Sequence, residues 1–162
     1  ELPPEPDGAP SAAASGQATE PWSPAAAATI PVEVLKQRQQ DLRQLCWQVA
    51  GVERQPHPLS QALRSVQQEA GELDGNPALQ QVEQQGSEQT WELDAQGTTW
   101  MRSAHDLRQR LVLAELLLEA ALFRQESRGG HFRLDAPLTQ PFWCRHTLQQ
   151  RCQQISTEPV GC

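Results

Sequence analysis

The chain has no tyrosine, three phenylalanines and one methionine in 162 residues, and only 38% of it is hydrophobic. No apolar run reaches the length of a bilayer span, so no membrane-spanning helix is expected. The four cysteines, Cys46, Cys144, Cys152 and Cys162, form no CxxC or CxxH pair, the close spacing on which zinc sites are usually built. Two disulfides are the other arithmetic option, but no export signal is visible and Cys46 falls within a helical apolar pattern. The cysteines read as free thiols of a reducing, cytoplasmic protein. No glycine-rich loop follows a strand and no Gly-x-Ser-x-Gly is present, so neither a dinucleotide site, a P-loop nor a hydrolase elbow is expected. Positive charge is short as well. Thirteen Lys+Arg against 20 Asp+Glu give a net charge of −7, which argues against a nucleic-acid binder. With no initiator Met and a proline-rich start, the sequence is expected to be a piece of a larger protein.

What is present is unevenly spread. Residues 1–31 hold seven of the 13 prolines, a run of Ala and Ser, and no basic residue. Such a stretch buries too little apolar surface to offset chain entropy, so a disordered linker is predicted there, with Trp22 its one large apolar side chain. The 23 glutamines add to the dilution of the core. Residues 32–152 are predicted to form one helical domain with a polar excursion at about 74–100, and 153–162 a frayed tail.

Three amphipathic stretches stand out. Leu35, Leu42, Leu45, Cys46, Val49 and Val52 make one helical stripe, with Gly51 placed to end it. His57, between Pro56 and Pro58, reads as loop. Leu59, Ala62, Leu63, Val66, Ala70 and Leu73 make a second helix, broken by Asp74-Gly75-Asn76-Pro77. Residues 78–99 read as a short helix and a polar excursion, with Thr90-Trp91-Glu92-Leu93 a short strand candidate. The third helix is predicted from Ser103 to Arg128, with Ser103 and Asp106 at its start and a glycine after Arg128 in the left-handed C′ position. Its stretch Leu111–Phe123 is polar only at Glu115 and Glu119, so it is predicted to lie buried between neighbours. The expected architecture is all-α, a bundle of three main helices, with no convincing strand alternation.

Candidate chemistry is sparse. His105, His131 and His146 are scattered. His131 can serve as a base or ligand donor, or simply tie its loop to the bundle. Arg124, Arg128 and Arg133 can clamp an anion, or pair with Glu126, Asp135 or a neighbouring domain's acids. Glu115 and Glu119, four apart, read as a solvated strip rather than a metal pair.

One stretch is specific. Glu126-Ser127-Arg128-Gly129-Gly130-His131-Phe132-Arg133-Leu134-Asp135-Ala136-Pro137, followed by Trp143 and His146-Thr147, resembles the signature of the C-terminal helical domain of the fumarate reductase/succinate dehydrogenase flavoprotein family. Within that family, Leu42-Arg43, Cys46-Trp47 and Gly51 through Arg54 are most similar to the L-aspartate oxidases. Cys46 stands where the family usually has Met. The resemblance spans about residues 33–150, and is absent over 1–31 and most of 74–100. It implies a spectrin-repeat-like three-helix bundle that follows an FAD-binding domain and a capping domain. It implies a parent enzyme that uses FAD to oxidise L-aspartate to iminoaspartate in de novo NAD synthesis, with quinolinate synthase as a candidate partner. No family catalytic, cofactor-binding or metal residue maps onto this chain, so this piece alone is expected to be inactive and to hold no flavin. The resemblance assigns Ser127, Arg128, Gly129, His131, Arg133, Asp135, Trp143 and His146 to domain docking. Two alternatives remain: the matching domain of a succinate dehydrogenase or fumarate reductase flavoprotein subunit, and a free-standing helical interaction module.

Overall fold

A computed structural model describes residues 30–84, 92–150 and 153–160. Trp22, Thr90 and Trp91, and all of the predicted linker up to residue 29, lie outside the described residues. Helix α1 (Val32–Val49), strand β1 (Glu53–Arg54), helix α2 (Pro56–Asp74), helix α3 (Pro77–Gln84) and helix α4 (Ala95–Phe123) follow in order. Then come strand β2 (Phe132–Arg133), a 3-10 turn (Pro141–Trp143), and strands β3 (Arg145–Leu148) and β4 (Ser156–Pro159). The protein is mostly helical, as expected. The three long helices α1, α2 and α4 pack on one another, and α3 is a fourth.

The core is aliphatic. Leu35 and Leu42 of α1 and Leu59, Ala62, Val66 and Leu73 of α2 meet Ala104, Leu107, Leu111, Ala114, Leu118 and Ala121 of α4. Each buried leucine contributes about 1.5–3 kcal/mol. Trp100 is 1% exposed, and its Nε1 donates to the carbonyl of Ile30 at 2.7 Å. That bond places the entry to α1 beside the first turns of α4.

Several boundaries depart from the sequence reading, each for a local reason. Helix α4 begins at Ala95, two turns before the predicted Ser103: Asp94 is its N-cap and accepts from the Gly97 N–H at 2.5 Å. Gly97, Thr98 and Thr99 are weak helix formers that hid this turn, and burial of Trp100 overrides them. The helix ends at Phe123 rather than Arg128, because Arg124 turns extended at φ −78°, ψ 110°. Gly129 is therefore no helix cap. It has φ +57° in the tight turn where Arg128 and His131 exchange backbone bonds of 2.8 and 3.1 Å. Pro56-His57-Pro58 is not loop but the first turn of α2, where a missing N–H costs nothing. Val52 falls beyond α1 and is exposed.

The predicted burial of Leu111–Phe123 holds on one side only. Val112, Leu113, Leu116 and Leu117 are exposed. Strands exist where none was expected. β1 pairs parallel with β2, Glu53 beside Phe132 and Arg54 beside Arg133. β3 pairs antiparallel with β4, Thr147 opposite Thr157 and His146 opposite Glu158. Residues 156–159 of the predicted frayed tail are thus a paired strand. Two- and four-residue strands are too short to show alternation.

Candidate functional site

The helix ends meet at one end of the bundle, and the loop after α4 folds over them. When α4 stops at Phe123, its last carbonyls need donors. The Arg133 guanidinium supplies them: its η1 nitrogen donates to the carbonyls of Ala121, Leu122 and Arg124 at 2.8, 3.1 and 3.3 Å. A cation at a helix C-terminus also suits the helix dipole. The other edge of Arg133 forms a fork with Asp135, 2.7 Å at both contacts. Arg133 is 3% exposed, and these hydrogen bonds hold the Asp135 carboxyl below its ordinary range. Helix α1 is closed in the same manner. Arg54 Nε donates to the carbonyls of Ala50 and Gly51 at 3.2 and 2.9 Å.

His131 joins the two caps. Its Nδ1 faces the Arg54 guanidinium, and its Nε2 lies 3.2 Å from the Arg124 carbonyl. This pattern fits a neutral ring protonated on Nε2, accepting from Arg54 and donating to Arg124. Burial pushes the His131 pKa down, and the charges of Arg54, Arg133 and Arg124 add to that; the hydrogen bond to Arg124 opposes it. Both ring nitrogens are engaged within the chain, which leaves neither free for proton transfer.

Glu126 is the other centre. Its side chain is fully buried. Arg128 grips both its oxygens, at 2.9 and 3.1 Å, the Gln140 N–H donates to it at 2.9 Å, and Arg124 donates to it as well. The Arg128 hydrogen bonds lead in pulling its pKa down to about 2, against burial. Arg124 also donates to the carbonyls of Trp143 and Arg145, at 2.9 and 2.5 Å, and lies over the Trp143 ring. Phe123 meets Trp143 edge-on at 5.4 Å. Ser127 closes the loop: its hydroxyl donates to Ala136 O at 2.8 Å and accepts from Arg133 N at 2.9 Å.

Of the eight residues assigned to docking, the structure brings seven into this one loop and its aromatic support. His146 stands apart, exposed on β3. The polar groups of Ser127, Arg128, His131, Arg133 and Asp135 are paired within the chain. Glu126, Arg124 and Arg54 are equally part of the network but were not among the eight. The available signal was a lone glutamate among arginines at 124, 128 and 133. Glu115 and Glu119 take bonds from Gln67 of α2 at 2.8 Å and Gln149 after β3 at 3.2 Å. Cys46 is half-buried against the core, with its thiol pKa raised by burial, and Cys144 is exposed. Among the described residues, no group of three or more His, Cys, Asp or Glu could hold a metal ion. No described helix is long and apolar enough to cross a membrane.

A helical body whose last long helix is closed by a polar clasp, with apolar side chains left exposed beside it, has the character of a module that packs against other structure. The family is definite: the chain belongs to the fumarate reductase flavoprotein C-term family, which matches residues 39–162. It is 32% identical over 121 residues to an L-aspartate oxidase of Synechocystis, covering 74% of this chain and 22% of that protein. It is 36% identical over 117 residues to an L-aspartate oxidase of Nostoc, covering 69% of this chain and 20% of that protein. One subunit of a fumarate reductase (CoM/CoB) from Methanothermobacter marburgensis shares 46% over 48 residues, 30% of this chain and 9% of that protein. The chain thus spans about a fifth of the length of the two oxidases it matches.

Proposed function

We propose that this chain is the C-terminal, non-catalytic domain of an L-aspartate oxidase, an FAD-dependent cytoplasmic enzyme that converts L-aspartate to iminoaspartate for NAD synthesis. The observation that carries the reading is the pair of matches to L-aspartate oxidases over about 70% of the chain. Among the described residues no strand runs into a glycine-rich turn and a helix, the arrangement that seats a dinucleotide. The reading places the flavin, and the reaction, in FAD-binding and capping domains outside this chain. Ser127, Arg128, Gly129, His131, Arg133, Asp135, Trp143 and His146 serve docking to those domains. The internal pairing of Ser127, Arg128, His131, Arg133 and Asp135 supports a specific role: these five fix the shape of the loop presented to the neighbour. Quinolinate synthase is the proposed recipient of the product.

The second reading, the same domain of a succinate dehydrogenase or fumarate reductase flavoprotein subunit, is favoured by the 48-residue match to the methanogen protein. Its smaller coverage ranks it second. Turnover by the complete polypeptide separates the two. The first reading expects L-aspartate to be oxidised and succinate to be left untouched. Succinate oxidation without aspartate oxidation overturns it.

A further inference from the structure

An open groove of about 980 Å³ runs along α4, between that helix, α2 and the segment around Ile155. Its lining combines two chemistries. Val112, Leu113 and Leu116 of α4, with Ile155 across from them, supply apolar surface, and Leu113 is 66% exposed. Glu115 and Glu119 lie among these side chains, one helical turn apart on the same face. Each carboxylate receives a bond from a neutral amide only: Glu115 from Gln67 at 2.8 Å and Glu119 from Gln149 at 3.2 Å. Among the described residues no cation pairs with either of them. The other charges of the groove are matched. Arg108 pairs with Asp74 at 2.9 Å and with Glu83, and the His105 ring is engaged by Gln109 at 2.8 Å. The groove therefore presents two uncompensated negative charges inside an apolar wall.

We propose that this groove is the docking site for a basic amphipathic helix of a separate protein. Charge complementarity selects that occupant. A helix with Lys or Arg four positions apart, flanking a stripe of leucines, presents two cations at the spacing of Glu115 and Glu119. Its apolar stripe covers Val112, Leu113 and Leu116, the helix-in-groove mode of recognition. Apolar burial supplies affinity, while the two carboxylates set register and speed encounter. The same carboxylates turn away anionic occupants. A second copy of this chain brings a net charge of −7 and the same acidic pair, and an anionic lipid surface is repelled likewise. The proposal concerns this chain's own groove and does not depend on which flavoenzyme the chain belongs to.

The test is fluorescence anisotropy of a short dye-labelled Leu/Lys peptide, with lysines four apart beside a leucine stripe, titrated with the complete polypeptide. A Kd of about 10 μM or tighter is expected. Glu115→Gln combined with Glu119→Gln is expected to weaken binding at least about 10-fold. Leu116→Ala, an independent second variant, is expected to weaken it about 5-fold. Glu33→Gln combined with Glu92→Gln removes the same charge from exposed acids outside the groove. That control should change binding less than about 2-fold, because salt screens distant charges. Equal weakening by the two Gln pairs overturns the proposal, since the attraction is then general rather than local. Absence of binding by the complete polypeptide also overturns it, and assigns the groove to the rest of that chain. Self-association of the complete polypeptide that the peptide disperses overturns it too, with a second copy as the occupant.

Discussion

Glu126 concentrates the chemistry of the clasp in one side chain. A buried carboxylate is tolerated because four donor contacts, from Arg128, Arg124 and the Gln140 N–H, replace water. Glu126→Gln removes the charge and is expected to cost about 2–3 kcal/mol in urea denaturation at neutral pH. The pH dependence has a definite sign. The folded pKa, about 2, lies below the ordinary 4.5, so the contribution is complete above pH 4.5 and is lost as pH falls toward 2. Wild-type stability should fall more steeply than that of the Gln variant across this window; parallel curves contradict the assignment. His131 gives a second window. Its folded pKa is depressed, so its contribution is complete above pH 6.5 and is eroded below it, as the unfolded chain takes up a proton first. The urea midpoint should drop between pH 7.5 and 5.5, and drop less in His131→Gln, whose amide can still accept from Arg54 and donate to Arg124. The motif itself was legible as sequence, because six of its residues lie within nine positions. Arg54, 77 residues away from His131, was not, because only the β1–β2 pairing brings it there.

At the level of elements, periodicity located the three long helices and the breaks between them, since stripes such as Leu35/Leu42 and Leu59/Ala62/Val66 follow helical spacing. Their ends were less legible. Asp94 looked like part of an acidic excursion, and it becomes a cap only because Trp100 is buried six residues later. The C-terminal end of α4 is set by a side chain from another segment, Arg133, which no local rule could supply. Gly129 and Gly130 looked equivalent in sequence, yet only Gly129 has a positive φ, and a Cβ at either position meets nothing within 4 Å. Gly129→Ala is therefore expected to cost about 1–2 kcal/mol from backbone strain alone. Gly130→Ala should be close to neutral. Equal melting temperatures for the two variants would count against the turn geometry.

For the whole molecule, the family was legible because its signature falls on a few specific residues, while the orientation of α4 was not. Composition showed that Leu111–Phe123 is apolar nearly all round, but not that one side would be left outward within this chain. That outward side, together with matches that cover about a fifth of each oxidase relative, fits the proposed reading of a domain within a larger flavoprotein. Arg128→Ala in the complete enzyme tests this role of the clasp. It is expected to lower the melting temperature while leaving turnover per bound flavin unchanged; lost turnover at an unchanged melting temperature contradicts it. The most direct measurement is the FAD content of two purified proteins, the complete polypeptide and this 162-residue chain alone. The account predicts about one FAD per complete polypeptide, with flavin absorption and aspartate oxidation, and a colourless, mostly helical, inactive chain. A yellow preparation of the chain alone that consumes L-aspartate would contradict it.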